Sequence, residues 1–172
     1  MSRPRPIILY DHEILSIISG DRNILVRPAR FFRYNPLRTG DMLWGKETWA
    51  KSIVEGIIYR ATYDTPDTVA WRSARTMPRL ASRITLEVTS CSAARLSELN
   101  KGHCDAQGIL PSPALPSRMA MFICLWNQVF QGRDTWEEDP EVIVTGIHAT
   151  EVLEGIHHPA VAAGMNNRKK ER

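Results

Sequence analysis

Five arginines, Arg22, Arg27, Arg30, Arg33 and Arg38, fall in a stretch from 22 to 40 that holds no acidic residue. Four more, Arg72, Arg75, Arg79 and Arg83, follow in a second acid-free stretch from 68 to 86. A guanidinium offers forked donors matched to phosphate oxygens and a flat face that stacks on bases, so such runs point to a polyanionic partner. Arg79 and Arg83 stand four apart and share a face whether that piece is helical or extended. The competing reading is a solvated, paired surface, with Glu47, Glu87 or the run Glu137–Asp139 as partners for the second stretch. Trp44, flanked by Gly40-Asp41 and Gly45-Lys46, and Trp71 supply planes on which a base could stack, and either serves equally as a core residue.

Two other constellations invite chemistry. Glu47, between Lys46 and Thr48, is a carboxylate lying between the two arginine stretches. It could act as the general base of a ribonuclease-like reaction with Arg22 or Arg83 steadying the phosphate. A carboxylate among arginines is expected to stay ionised with a lowered pKa, which favours a structural role instead. His103-Cys104-Asp105 are all metal-ligand types, but three consecutive residues cannot converge on one ion and no Cys-x-x-Cys or paired histidine spacing completes a tetrahedral set. No metal and no cofactor is expected.

These residues need a scaffold, and its elements are legible. Asp11 is placed to cap a short helix with apolar Ile14, Leu15, Ile17 and Ile18, ended by Gly20. Residues 41–49, 57–63, 83–90 and 141–148 read as strands, with Ile84, Leu86 and Val88 inward and Thr85, Glu87 and Thr89 outward. Residues 97–107 read as a short helix before the Pro-rich loop 110–116. From Ser117 to Gln131 the spacing of Met119, Phe122, Ile123, Trp126, Val129 and Phe130 predicts an amphipathic helix that packs on the sheet, stopped by Gly132.

At 172 residues and 43% hydrophobic content the chain suits one self-supporting core. The charge is +3, with a pI near 8.9, which permits a nucleic-acid partner without demanding one. Its distribution is uneven: residues 1–86 carry 14 basic against 8 acidic groups, and residues 87–155 carry 4 against 10. Three cysteines without paired spacing, no signal-peptide pattern and no long apolar run point to a reducing cytoplasm and away from membranes. Residues 156–172 read as a mobile basic tail.

Several strings spread over residues 6–148 resemble the ASCH-domain proteins of the PUA-like superfamily, in particular their prophage-encoded branch. The strings are Gly40-Asp-Met-Leu-Trp-Gly-Lys-Glu-Thr-Trp49 and Met77-Pro-Arg-Leu-Ala-Ser-Arg-Ile84, with Tyr59-Arg-Ala, Leu96-Ser-Glu and Leu125-Trp126 in order. The resemblance implies an α+β fold, a small PUA-like mixed β-barrel with a few flanking helices and a cleft on one side. It also implies an association with RNA or modified nucleosides. The domain is expected over 1–155.

The departures carry chemical meaning. Where the family shows Gly-x-Lys-Thr-x-Thr-x-Arg, this chain reads Gly20-Asp-Arg-Asn-Ile-Leu-Val-Arg27. A relative, the small bacterial acetylcytidine amidohydrolase, uses that lysine, a threonine and a glutamate, and the resemblance places Arg22, Leu25 and Gln107 at those positions. Leucine is no nucleophile, guanidinium stays protonated, and glutamine does not titrate, so acetylcytidine hydrolysis is expected to be absent. The expectation is a binding module for RNA or a nucleotide-containing ligand, with phosphate held by Arg22, Arg27, Lys46, Arg79 and Arg83 beside Glu47, and a base on Trp44. The alternatives are an RNA-processing enzyme using Glu47, or a phage accessory protein that meets a host protein through segment 134–141 and the Pro-rich loop.

Overall fold

The computed structural model describes residues 3–64 and 68–153. The expected basic tail, 156–172, lies outside them. Among the described residues, seven strands and three α-helices form in the order β1 (Arg5–Ile8), α1 (Asp11–Ile18), β2 (Ile24–Pro28), β3 (Met42–Lys46), β4 (Trp49–Ser52), β5 (Gly56–Tyr59), β6 (Ile84–Arg95), α2 (Lys101–Ala106), α3 (Arg118–Val129) and β7 (Glu141–Val152). One five-stranded sheet has the order β1-β3-β6-β7-β2, and β4-β5 form a separate hairpin. All pairings are antiparallel except β1 with β3.

The fold is α+β as expected, but the expected barrel is an open sheet. Among the described residues no ladder joins the edge strands β1 and β2. A side chain spans the gap instead: Arg27 on β2 donates from Nη2 to the Ile8 carbonyl on β1, at 2.9 Å.

Period-two alternation in the strands divides the apolar residues between two faces. Leu25, Leu43, Ile84, Leu86 and Val88 join Ile14 and Ile17 of α1 in one core. Val26, Val142 and Val144 face the other way and meet Phe122 and Trp126 of α3 and Phe130 just past its end. The aromatic stripe of α3 therefore covers the sheet as its spacing predicts. Ser117 caps that helix by accepting from Ala120 N–H, and Gly132, at φ +75°, lets the chain turn away.

Element ends differ from expectation for local reasons. α1 is capped at Tyr10 and not at Asp11, because the Glu13 carboxylate reaches back to the Tyr10 N–H at 3.0 Å. The helix expected over 97–107 is split into a 3₁₀ turn at Leu96–Glu98 and α2. Strand β6 runs five residues past the expected end at 90, since β7 pairs it as far as Arg95↔Glu141, with register shifts at Thr85/Leu86 and Val88/Ser90.

Candidate nucleic-acid interface

The first helix places Glu13 inside the molecule, 3% exposed, and two arginines of the first acid-free stretch close on it. Arg27 donates to both its oxygens, Nη1 to Oε1 at 2.8 Å and Nη2 to Oε2 at 2.6 Å. Arg22 lies 3.6 Å from Oε1 and donates from Nε to Ser16 Oγ at 2.8 Å. Burial alone would raise the Glu13 pKa, but the Coulomb field and hydrogen bonds of Arg27, with Arg22 behind it, hold it at about 2. Burial lowers the Arg22 pKa to about 10 despite Glu13, whereas at Arg27 the carboxylate outweighs burial and the pKa rises.

A second pair stands at the start of β6. Arg83 donates to Glu47 from Nε at 2.9 Å and from Nη2 at 2.8 Å, reaches Thr62 Oγ1 at 3.1 Å, and lies 4.1 Å from the centre of the Tyr59 ring. Glu47 is 1% exposed. Burial pushes its carboxyl above the usual range against the pull of Arg83, the reverse of the lowering expected from sequence. Desolvation was the contribution that sequence alone could not weigh.

Arg22, Arg27 and Arg83 are thus buried partners of carboxylates and do not line an open cleft with the other predicted residues. The pairing of Arg83 with Glu47, which comes from the link between β3 and β4, is the competing reading named for the second stretch, whereas the pairing of Arg22 and Arg27 escaped local charge arithmetic because Glu13 precedes the acid-free stretch. Elsewhere in the first stretch, Arg30 meets Asp134. In the acidic segment 134–141, Asp139 accepts from Ser97 N–H at 2.7 Å.

In the second stretch Arg72, Arg75 and Arg79 remain exposed. Two 3₁₀ turns, Ala74–Thr76 and Arg79–Ala81, keep Ala74, Met77 and Ala81 inward while Arg75 and Arg79 face solvent. Arg72 is held in place by a two-way backbone bridge to Trp49, and its guanidinium lies 5.3 Å from that indole's centre. Lys46 lies 5.5 Å from the Trp44 ring and donates to the Arg75 carbonyl at 2.6 Å. Among the described residues, no carboxylate is within ion-pair distance of Lys46, Arg72, Arg75 or Arg79. Trp44 is half-buried on the face of β3 that carries Lys46. Arg72 and Arg75 were absent from the residues expected to bind phosphate, although the same acid-free run pointed to them.

Arg75 also acts electrostatically on Tyr10, whose phenol burial raises. Behind Tyr10, a cavity of about 20 Å³ is walled by Glu13, Arg27, Gln107 and the aromatic side chains of α3. That is room for about one water molecule. Gln107 is 4% exposed and bonds back to the His103 carbonyl at 3.3 Å, while Leu25 is wholly within the core.

No family model matches the sequence, and no curated protein matches it. Solved structures do resemble the fold. Protein EF3133 from Enterococcus faecalis V583, whose family model is DUF984, superposes with a TM-score of 0.53 over 92% of this chain and 87% of that one, at 7% identity. An ASCH domain from Lactobacillus crispatus JV V101 gives 0.46 over 84% and 79%, at 9% identity. The chain therefore shares the fold of the Enterococcus protein, a likeness of architecture that assigns no chemistry.

Proposed function

We propose that this protein is an ASCH-like module that binds RNA or a nucleotide-containing ligand through half-buried Lys46 and the exposed Arg72, Arg75 and Arg79. Trp44 offers a ring beside this strip. The observation that supports this reading is that Lys46, Arg72, Arg75 and Arg79 have no carboxylate partner among the described residues, with Lys46 and Arg72 resting near tryptophan rings and Lys46 bonded to the Arg75 carbonyl. Such groups hold phosphates in register, and neighbouring aromatic planes add base stacking without demanding a sequence. Arg22, Arg27 and Arg83, with Glu13 and Glu47, hold the scaffold under this strip.

The same geometry disfavours chemistry at Glu47. A general base must come within hydrogen-bond reach of the proton it takes, and both oxygens of Glu47 are bonded to Arg83 in the interior. Acetylcytidine hydrolysis is expected to be absent for want of a nucleophile and titratable carboxylate at Arg22, Leu25 and Gln107.

The test is fluorescence anisotropy with labelled single-stranded RNA at low salt. Charge reversal at Arg72, Arg75 and Arg79 together should lower affinity by at least about tenfold while the thermal midpoint stays near wild type. Equal binding by the triple variant, or no binding by the wild type, would overturn the proposal.

A further inference from the structure

The far half of β6 has one open edge. β3 pairs with β6 over Thr85–Glu87, and the loop residues Gly40 and Asp41 engage Val88, after which nothing described covers that side. The Leu96 N–H points to Pro140 on the β7 side, and backbone alternation then turns the N–H and C=O groups of Cys91 and Ala93 outward. Among the described residues these groups meet no protein partner. The run Thr89–Ala94 has no charge and no proline, the usual devices that blunt an exposed edge.

Two hollows adjoin this edge, of about 580 Å³ and 420 Å³, and both touch Ala93 and Glu141. The larger lies under the segment that follows β2, with Phe32, Leu37 and Ile143 as apolar wall and Arg33 at its rim. Ala93 pairs with Ile143, so both side chains share the sheet face that opens into it. Arg33 is exposed, 5.7 Å from the Tyr34 ring, with no carboxylate at ion-pair distance among the described residues.

We propose that this edge accepts an extended peptide segment of another protein as an added β-strand. The segment would carry a bulky apolar side chain for the larger hollow and, two residues on, an Asp or Glu for Arg33. Main-chain groups at Cys91 and Ala93 supply affinity, and the alternation of strand side chains places both specificity elements on one face. A second copy of this chain fits less well. Paired edge to edge, it would offer only the Thr, Ser, Cys and Ala side chains of Thr89–Ala94, too small to fill either hollow. This proposal is independent of RNA binding at the Arg72–Arg79 strip.

The experiment uses the full chain to select from a displayed library of random peptides about eight residues long, followed by anisotropy on the synthesised winners. Selected sequences should share the apolar-x-acidic pattern. They should lose at least about tenfold in affinity in Ala93→Pro, which removes an outward N–H without touching the ladder to β7. Arg33→Glu should turn the preference from acidic to basic residues. Should Ala93→Pro fold poorly, amide shifts of Cys91 and Ala93 in the wild type on adding peptide give the same answer. Four outcomes overturn the proposal: no enriched peptide, unmoved Cys91 and Ala93 amides, a wild-type dimer that Ala93→Pro dissociates, or an oligouridine probe whose binding Ala93→Pro abolishes.

Discussion

Glu13 and Glu47 are both buried against arginine, yet their protons respond to folding in opposite directions. The Glu13 pKa is lowered to about 2 in the fold, so it contributes stability above the unfolded value near 4.5, and that contribution is lost as pH falls toward 2. A shift of that size is worth roughly 3 kcal/mol. Glu47 is shifted upward by burial, so its ionisation opposes folding as pH rises through its folded value. Urea midpoints measured from pH 6 to pH 2.5 should therefore fall with acid in the wild type. Glu13→Gln should start about 3 to 5 kcal/mol less stable, because Arg27 is left buried and unpaired, and should show a flatter pH profile. An equal slope in both proteins would assign the acid sensitivity to other groups.

The helix α3 is the element whose packing was clearest in advance, and its role is separable from binding. Phe122 and Trp126 are 3% and 4% exposed, and the Trp126 indole donates to the Asp134 carbonyl at 2.7 Å, pinning the following loop. Phe122→Ala should cost about 3 to 5 kcal/mol in urea unfolding by opening a cavity, with RNA affinity unchanged under conditions where the protein stays folded. The bulge between Val88 and Ser90 is a second local requirement. A Cβ at Gly146 would meet Ser90 Oγ and, at 2.6 Å, Thr89 Oγ1. Gly146→Val should therefore lower the thermal midpoint by displacing β6 from β7, and hydrogen exchange should show the loss at residues 89–92 first.

Over the whole molecule, charge is sorted by depth as well as by position. Three of the arginines expected in a cleft went inside with carboxylates, while the arginines of the strip from Lys46 to Arg79 stay exposed. Four phosphate contacts predict a slope of about −3 for log affinity against log salt with single-stranded RNA, as about 0.7 counterion is released per contact. A slope near zero would point to recognition that does not use phosphate.

Strands 83–90 and 141–148 and the 117–131 helix could be read in advance because alternation and helical spacing are local signals that survive in a linear string. Strands β1 and β2 could not, since each holds an arginine and a proline within its few residues and so shows no alternation. The amino-acid sequence alone determined the α+β class and the two cationic runs. Only the tertiary structure decided which cations reach a partner and whether the sheet closes. The fate of the cations depends on Glu13 and Glu47 arriving from other segments, and the field at a buried group is set by distance and desolvation rather than by order along the chain.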